Sequence, residues 1–192
     1  MTHGGGVATI GSGMSLLEEP LHRLSVEDVE RMYESGVLTG EDRVELIDGV
    51  LYDVIILVTP EHSAAVAWLN RHLANAVGDG EVRVQDFLLI DRGFLSPDLI
   101  VLDEIRRDRQ PDTARLAIEV SVSSLRRDLK KVGLYARAGV AEYWIAEVAT
   151  RTLVVHRGPR GDVYASVTRH GDGEQVPAPL GAPPVDVSAL FG

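Results

Sequence analysis

The stretch "RLAIEVSVSSLRRDLKKVGLYARAGVAEYWI", residues 115–145, changes its periodicity twice. Leu116, Ile118, Val120 and Val122 alternate with Ala117, Glu119 and Ser121. That period of two is a β-strand, and it leaves Glu119 flanked by small residues on its own face. From about residue 124 to 138 the repeat becomes helical. Leu125, Leu129, Val132 and Ala136 share one stripe, which predicts the buried face of a helix. Ser124, Asp128, Lys131 and Tyr135 form a second stripe roughly a quarter turn away, a polar flank beside the core. Gly139 stops the helix, and "EYWIAEV" resumes an extended run. Because the strand-to-helix connection is very short, the polar flank can lean over the strand end and bring Lys131 toward Glu119.

Working outward, "HRLSVEDVERMYESG" reads as a helix with Ser25 as N-cap, Asp28 completing an approximate capping box and Gly36 as stop. "RVELIDGVLYDVIILV" is two extended runs about Asp48-Gly49, a hairpin signal. "TPEHSAAVAWLNRHLANAVGDG" has Thr59 as N-cap, Pro60 at the first helical position, Val66, Leu69, Leu73 and Val77 at helical spacing, and Gly78 as stop. "VRVQDFLLI" and "DLIVL" are further extended runs, and "EYWIAEV", "TLVVHRG" and "DVYASVT" are closing strands. Strands mixed with two or three helices predict an α/β or α+β domain around a central mixed β-sheet flanked by helices. Residues 1–15 are expected to be a disordered tail, 16–170 the domain, and the Gly- and Pro-rich 171–192 an extended arm packed on it at its apolar end.

Composition narrows the function. The 192 residues suit one sizeable domain, and 45% hydrophobic with 25% charged residues is globular usage. The chain has no cysteine, which excludes disulfides and thiolate metal sites. The N-terminus has no basic region followed by an apolar stretch, and no long uncharged apolar run exists, so a cytoplasmic protein without membrane spans is expected. The formal charge of −10 argues against a broad non-specific grip on nucleic acid. Basic residues nevertheless cluster at Arg106, Arg107 and Arg109 and at Arg126, Arg127, Lys130 and Lys131, a local rim able to receive a phosphodiester or a solvated helix face.

In "FLSPDLIVL", residues 94–102, Asp98 stands at the mouth of an apolar run, where a carboxylate is costly, although a lone Asp before a strand usually just ends a turn. The approach of Lys131 to Glu119 allows a carboxylate, carboxylate, lysine cluster. Two carboxylates hold Mg²⁺, which accepts phosphate oxygens, while an ammonium positions the attacking water or stabilises charge on phosphorus. Spacing alone equally describes a Glu119–Lys131 ion pair in which nothing reacts.

The succession "RVELIDGVLYDV", "TPEHSAAVAWLNRHL", "VRVQDFLLI", "SPDLIVL" and "LAIEVSVSSLRRDLKKVGLYARAGVAEYWI" resembles the Uma-two family, restriction-endonuclease-like bacterial proteins of the PD-(D/E)XK nuclease superfamily, from about residue 22 to about 168. The segment from Glu119 to Trp144 is the most specific part. The resemblance implies a restriction-endonuclease-like core, with Asp98 as the metal carboxylate of the "PD" motif and Glu119 as the second. The superfamily's E-x-K lysine would fall at position 121, where this chain has Ser. In the resembled family a lysine four residues before a tyrosine takes its place, which maps onto Lys131 ahead of Tyr135, with Lys130 as the runner-up. Glu45 matches an early acidic position and is a candidate third metal carboxylate, or an exposed strand residue before a turn.

His62 recurs in the family pattern "TPEH" as a candidate base or a structural hydrogen bonder. Gln85 could touch the site or only the sheet surface, and Tyr143 and Trp144 read as core anchors rather than base-stacking platforms. The early "GGG" and "GSG" lack the context of a phosphate loop. The expectation is an Mg²⁺- or Mn²⁺-dependent endonuclease acting on DNA as a homodimer, with an inactive nuclease-fold binding module as the alternative.

Overall fold

The computed structural model describes residues 21–54, 59–105 and 107–192. The expected N-terminal tail, Arg106 and the far end of the hairpin's second arm lie outside the described residues. Helix α1, Val26–Glu34, starts at the expected capping box: Ser25 Oγ accepts the Asp28 N–H at 3.1 Å, and Asp28 Oδ2 accepts the Ser25 N–H at 2.8 Å. Strands β1, Val44–Ile47, and β2, Val50–Asp53, form the expected hairpin. Its two-residue turn puts Asp48 at φ 51° and Gly49 at φ 71°, the doubly left-handed geometry that matches strand twist. Helix α2, Pro60–Ala74, begins at Thr59, whose Oγ1 accepts the His62 N–H at 3.2 Å.

"VRVQDFLLI" does not form one strand. It divides at Gln85, which adopts φ 53°, into β3, Glu81–Val84, and β4, Leu88–Ile90. The two halves join different sheets. A short strand β5, Gly93–Leu95, precedes β6, Leu99–Leu102, and Pro97, which has no N–H to donate, lies between them. Strand β5 passes so close to β1 that a Cβ on Gly93 would lie 1.8 Å from the Leu46 carbonyl oxygen, so only glycine fits.

Strand β7, Leu116–Ser121, helix α3, Leu125–Arg137, and strand β8, Glu142–Glu147, follow, then β9, Thr152–Arg160, and β10, Val163–His170. A six-stranded sheet has the order β10-β9-β8-β7-β6-β3, and a four-stranded sheet the order β2-β1-β5-β4. Strands β7 and β8 are parallel, with α3 as their crossover, and the other neighbours in both sheets are antiparallel. The expected mixed sheet flanked by helices is therefore present.

The alternation read in β7 sorts the two faces. Leu116, Ile118 and Val120 join α2 in one core cluster, whereas Ala117 joins Tyr135, Tyr143 and Ile145 in the other, together with Leu88 and Leu95 of the smaller sheet. The expected extended arm instead pairs β11, Gln175–Val176, with β12, Val185–Asp186, and ends in helix α4, Val187–Phe191. Val176, Val185, Val187 and Leu190 bury against the α2 side of the core, so the apolar end of the arm does pack, but as a helix capped by Asp186. Among the described residues no helix is long and apolar enough to cross a membrane.

Helix α3 reverses one expectation. Leu129, assigned to the buried stripe, is 49% exposed, whereas Asp128, Lys131 and Tyr135 of the polar flank are buried. The helix turns its charged stripe inward because those charges meet partners there.

Candidate active site

Asp98 and Glu119 are brought together by strand register. Leu99 pairs with Ile118 across the antiparallel β6–β7 ladder, so one step further Asp98 stands opposite Glu119 at the sheet end. Asp98 is held from several sides. Its Oδ2 accepts the Val120 N–H at 2.8 Å, its two oxygens lie 3.2 and 3.3 Å from His62 Nε2, and its backbone carbonyl accepts the Gln85 N–H at 3.0 Å. A buried carboxylate at the mouth of a strand is stable there because hydrogen bonds replace its water. Asp98 is thus more than a turn residue, and His62, from the first turn of α2, is its direct neighbour.

Lys131 supplies the ammonium, as the spacing along α3 predicted. Its Nζ donates to Glu45 Oε1 at 2.7 Å and to Glu119 Oε1 at 2.9 Å. Lys130, one position earlier, is exposed and makes neither contact. Tyr135 OH, one turn along, donates to the same Glu119 oxygen at 2.9 Å. Ser121, in the position of the E-x-K lysine, is buried, with its hydroxyl 3.4 Å from Ser124 Oγ. Ser124 Oγ also donates to Asp128 Oδ2 at 2.6 Å, and Tyr143 OH donates to the Asp128 carbonyl at 3.1 Å. The inward stripe of α3 is therefore a connected polar network.

Asp98, Glu119, Asp128, Lys131, His62 and Ser124 line one solvent-open hollow of about 40 Å³. That is room for an ion with a water or two, each water needing about 10–15 Å³. Glu45 does not line it. Its Oε1 accepts the Ser96 N–H at 3.1 Å as well as the Lys131 amine, so it anchors Lys131 from outside the hollow. Among the described residues no three carboxylate or imidazole groups form a closed metal cage. The open pair is Asp98 and Glu119. Among the described residues none hydrogen-bonds Glu119 Oε2 and no buried side-chain polar atom lacks a partner, so that oxygen meets solvent in the hollow.

The electrostatics follow from crowding four carboxylates around one amine. Burial, with Asp98, Asp128 and Glu45 nearby, pushes the Glu119 carboxyl up to about 8 against the pull of Lys131. Burial likewise raises Asp128, although Ser124 opposes it. Burial alone would lower Lys131, but the charges of Glu119 and Glu45 overcome it and hold the amine above the ordinary lysine value. Tyr135 is driven up by burial and by Glu119, so it stays a proton donor.

The other candidates fall elsewhere. The Gln85 side chain accepts from Arg43 at 2.7 Å and does not line the hollow. Tyr143 and Trp144 are fully buried core anchors, as expected. Arg107 and Arg109 are exposed and lie outside the hollow. The backbone donors at Ser96 and Val120 had no signal in the sequence, because any residue supplies an N–H.

A family model named Uma2, described as "Putative restriction endonuclease", matches residues 26–189. Among solved structures the chain is similar to "a putative nuclease belonging to DUF820 from Anabaena variabilis ATCC 29413", with a TM-score of 0.73 and 14% identity over 88% of this chain and 97% of that one. That likeness is one of fold. No curated protein matches the chain.

Proposed function

Since the chain belongs to the Uma2 family, described as "Putative restriction endonuclease", we propose that it is a metal-dependent endonuclease hydrolysing DNA phosphodiester bonds at the Asp98–Glu119–Lys131 hollow. The observation that carries this reading is that three successive elements, β6, β7 and α3, deliver two carboxylates and an ammonium to one small opening. The donor set fits a hard divalent cation. Asp98 and Glu119 offer oxygens only, and Mg²⁺ or Mn²⁺ takes one or two carboxylates while keeping waters and substrate oxygens. Burial lifts Glu119 first, and the neighbouring carboxylates add to it; such a cation would neutralise that added charge.

A bound ion would supply the field that acidifies an attacking water and draws in phosphate oxygens. The chain's own groups do the rest. His62 and the Val120 N–H fix the Asp98 carboxylate, the orienting role that outer hydrogen bonds play at metal sites. Lys131 spends two of its three donors on Glu45 and Glu119, which leaves one for the nucleophilic water or a phosphoryl oxygen. Tyr135 holds Glu119 by the oxygen that Lys131 also uses, so Oε2 stays turned to the hollow.

One observation favours a second reading, an inactive module: Lys131 is already satisfied by two carboxylates, as in an ion-pair network. Titration calorimetry with Mn²⁺ separates the two. The native chain is expected to bind Mn²⁺ and to cleave supercoiled plasmid DNA in its presence, and Asp98→Ala is expected to lose both. A native chain that gives no heat with Mn²⁺ and cleaves no DNA sinks the endonuclease reading.

The raised Glu119 carboxyl sets a pH dependence. Its folded-state value of about 8 lies above the ordinary 4.5, so the metal-free fold holds a proton that the unfolded chain releases in that window. Metal-free stability from this group is greatest below that window and falls as pH rises through about 8. Metal binding must expel the proton, so the sign reverses. Mg²⁺ affinity is expected to climb from pH 6 to pH 8 by up to about tenfold per unit, and the Mg²⁺-induced rise in Tm should grow in step. Affinity flat across that range would show that metal binding expels no proton from Glu119.

A further inference from the structure

We propose, resting on the nuclease reading above, that a DNA strand reaches the hollow along a groove between α3 and the β1–β2 hairpin, its phosphates held by Arg126, Lys130 and Arg137. The groove measures about 710 Å³, and Tyr52 and Asp53 of β2 form its opposite wall. It is continuous with the hollow, because Ser123, Ser124, Arg127 and Lys131 line both.

Its charge departs from that of the rest of the chain. Five basic lining residues, four arginines and lysines of α3 besides Lys131, stand against Glu45 and Asp53, a local balance of +3 in a chain of net charge −10. Lys131 is already committed to its two carboxylates, and Arg127 Nη1 donates to the Asp53 carbonyl at 3.2 Å. Arg126, Lys130 and Arg137 differ. They are exposed, and among the described residues none of them has an ion-pair partner. Spaced four and then seven residues apart, they follow one flank of the helix, so their charges line a single track leading toward the carboxylates.

Uncompensated cations in a row suit a polyanion, since each neutralised phosphate releases condensed counterions. Tyr52, 50% exposed on the facing strand, offers a ring on which a base can stack. An acidic peptide would satisfy the charges but would have no use for a metal-binding hollow at the end of the track.

The test measures binding and cleavage separately on the full chain. Fluorescence anisotropy with a labelled DNA duplex and with its single strand, in Ca²⁺ to hold back turnover, gives affinity against salt. The variant Arg126→Ala/Lys130→Ala/Arg137→Ala is expected to bind about 10- to 100-fold more weakly and to lose about two to three units of salt slope. Its circular-dichroism Tm should be unchanged. Arg71→Ala, an exposed change on α2, should leave binding as it was.

Native chain and triple variant cleaving DNA with the same KM would overturn the groove while leaving the nuclease reading intact. Salt-dependent binding lost in the variant, without cleavage by the native chain, would support the groove and overturn the nuclease reading. Loss of polyglutamate binding with DNA binding untouched would give the groove to an acidic protein and overturn the proposal.

Discussion

Glu119→Gln is expected to lower Mn²⁺-dependent cleavage by on the order of 10³-fold, the rate equivalent of about 4 kcal/mol of lost transition-state stabilisation, while the fold keeps its stability to within about 1 kcal/mol. The two halves of this result come from different properties of one side chain. Glutamine has the same shape, and its carbonyl oxygen can still accept from Lys131 Nζ and Tyr135 OH. With the native carboxyl pushed up to about 8, the neutral state that glutamine imitates is already populated in the metal-free protein at neutral pH. What the variant lacks is an anionic oxygen at the Oε2 position to meet a divalent ion. Plasmid cleavage and thermal unfolding on the same preparation check both halves. Unchanged cleavage would remove Glu119 from the chemistry, and a large loss of Tm with no metal effect would make it a structural ion-pair partner.

Lys131→Met carries the largest expected cost to the fold. Removing the amine leaves Glu45 and Glu119, both buried, facing each other without a counter-charge, and breaking such a set typically costs about 3–5 kcal/mol. The sign of its pH dependence is diagnostic. Without the amine the Glu119 carboxyl loses the charge that opposes its upward shift, so the folded variant takes up a proton as pH falls and recovers stability. The deficit in Tm relative to the native chain should therefore be large at pH 8 and smaller at pH 5. A deficit that does not change with pH would mean that methionine fails by packing rather than by charge. Where the variant folds, cleavage should fall by about 10²-fold or more.

The sequence made much of this legible where one residue type has one physical use. Asp48-Gly49 demanded a tight hairpin, Thr59-Pro60 the start of a helix, and alternation from Leu116 to Val120 assigned each side chain to the correct face of its strand. Lys131 over Lys130 followed from the angle between successive helical positions, and the exposed Lys130 agrees with it.

What failed has a common cause. The apolar stripe of α3 packs as read at Leu125, Val132 and Ala136 but not at Leu129, and the flank read as polar is buried too because its groups are satisfied: Asp128 with Ser124, Lys131 with two glutamates, Tyr135 with Glu119. Amphipathic reasoning scores such side chains as solvent-seeking because it cannot see partners contributed from 86 residues away. The division of "VRVQDFLLI" was hidden for a related reason. Its apolar content suits a strand in either sheet, and only the left-handed backbone at Gln85 sends its halves apart.

Lys131 also works as a rivet. It joins Glu45 of the smaller sheet to Glu119 of the larger one, so the amine reaches its final position only when the two sheets have docked. On the endonuclease reading, a chain whose hairpin has not seated lacks the Glu45 anchor that sets the amine beside Glu119. If the hollow hydrolyses DNA as proposed, docking of the two sheets is also what arms it.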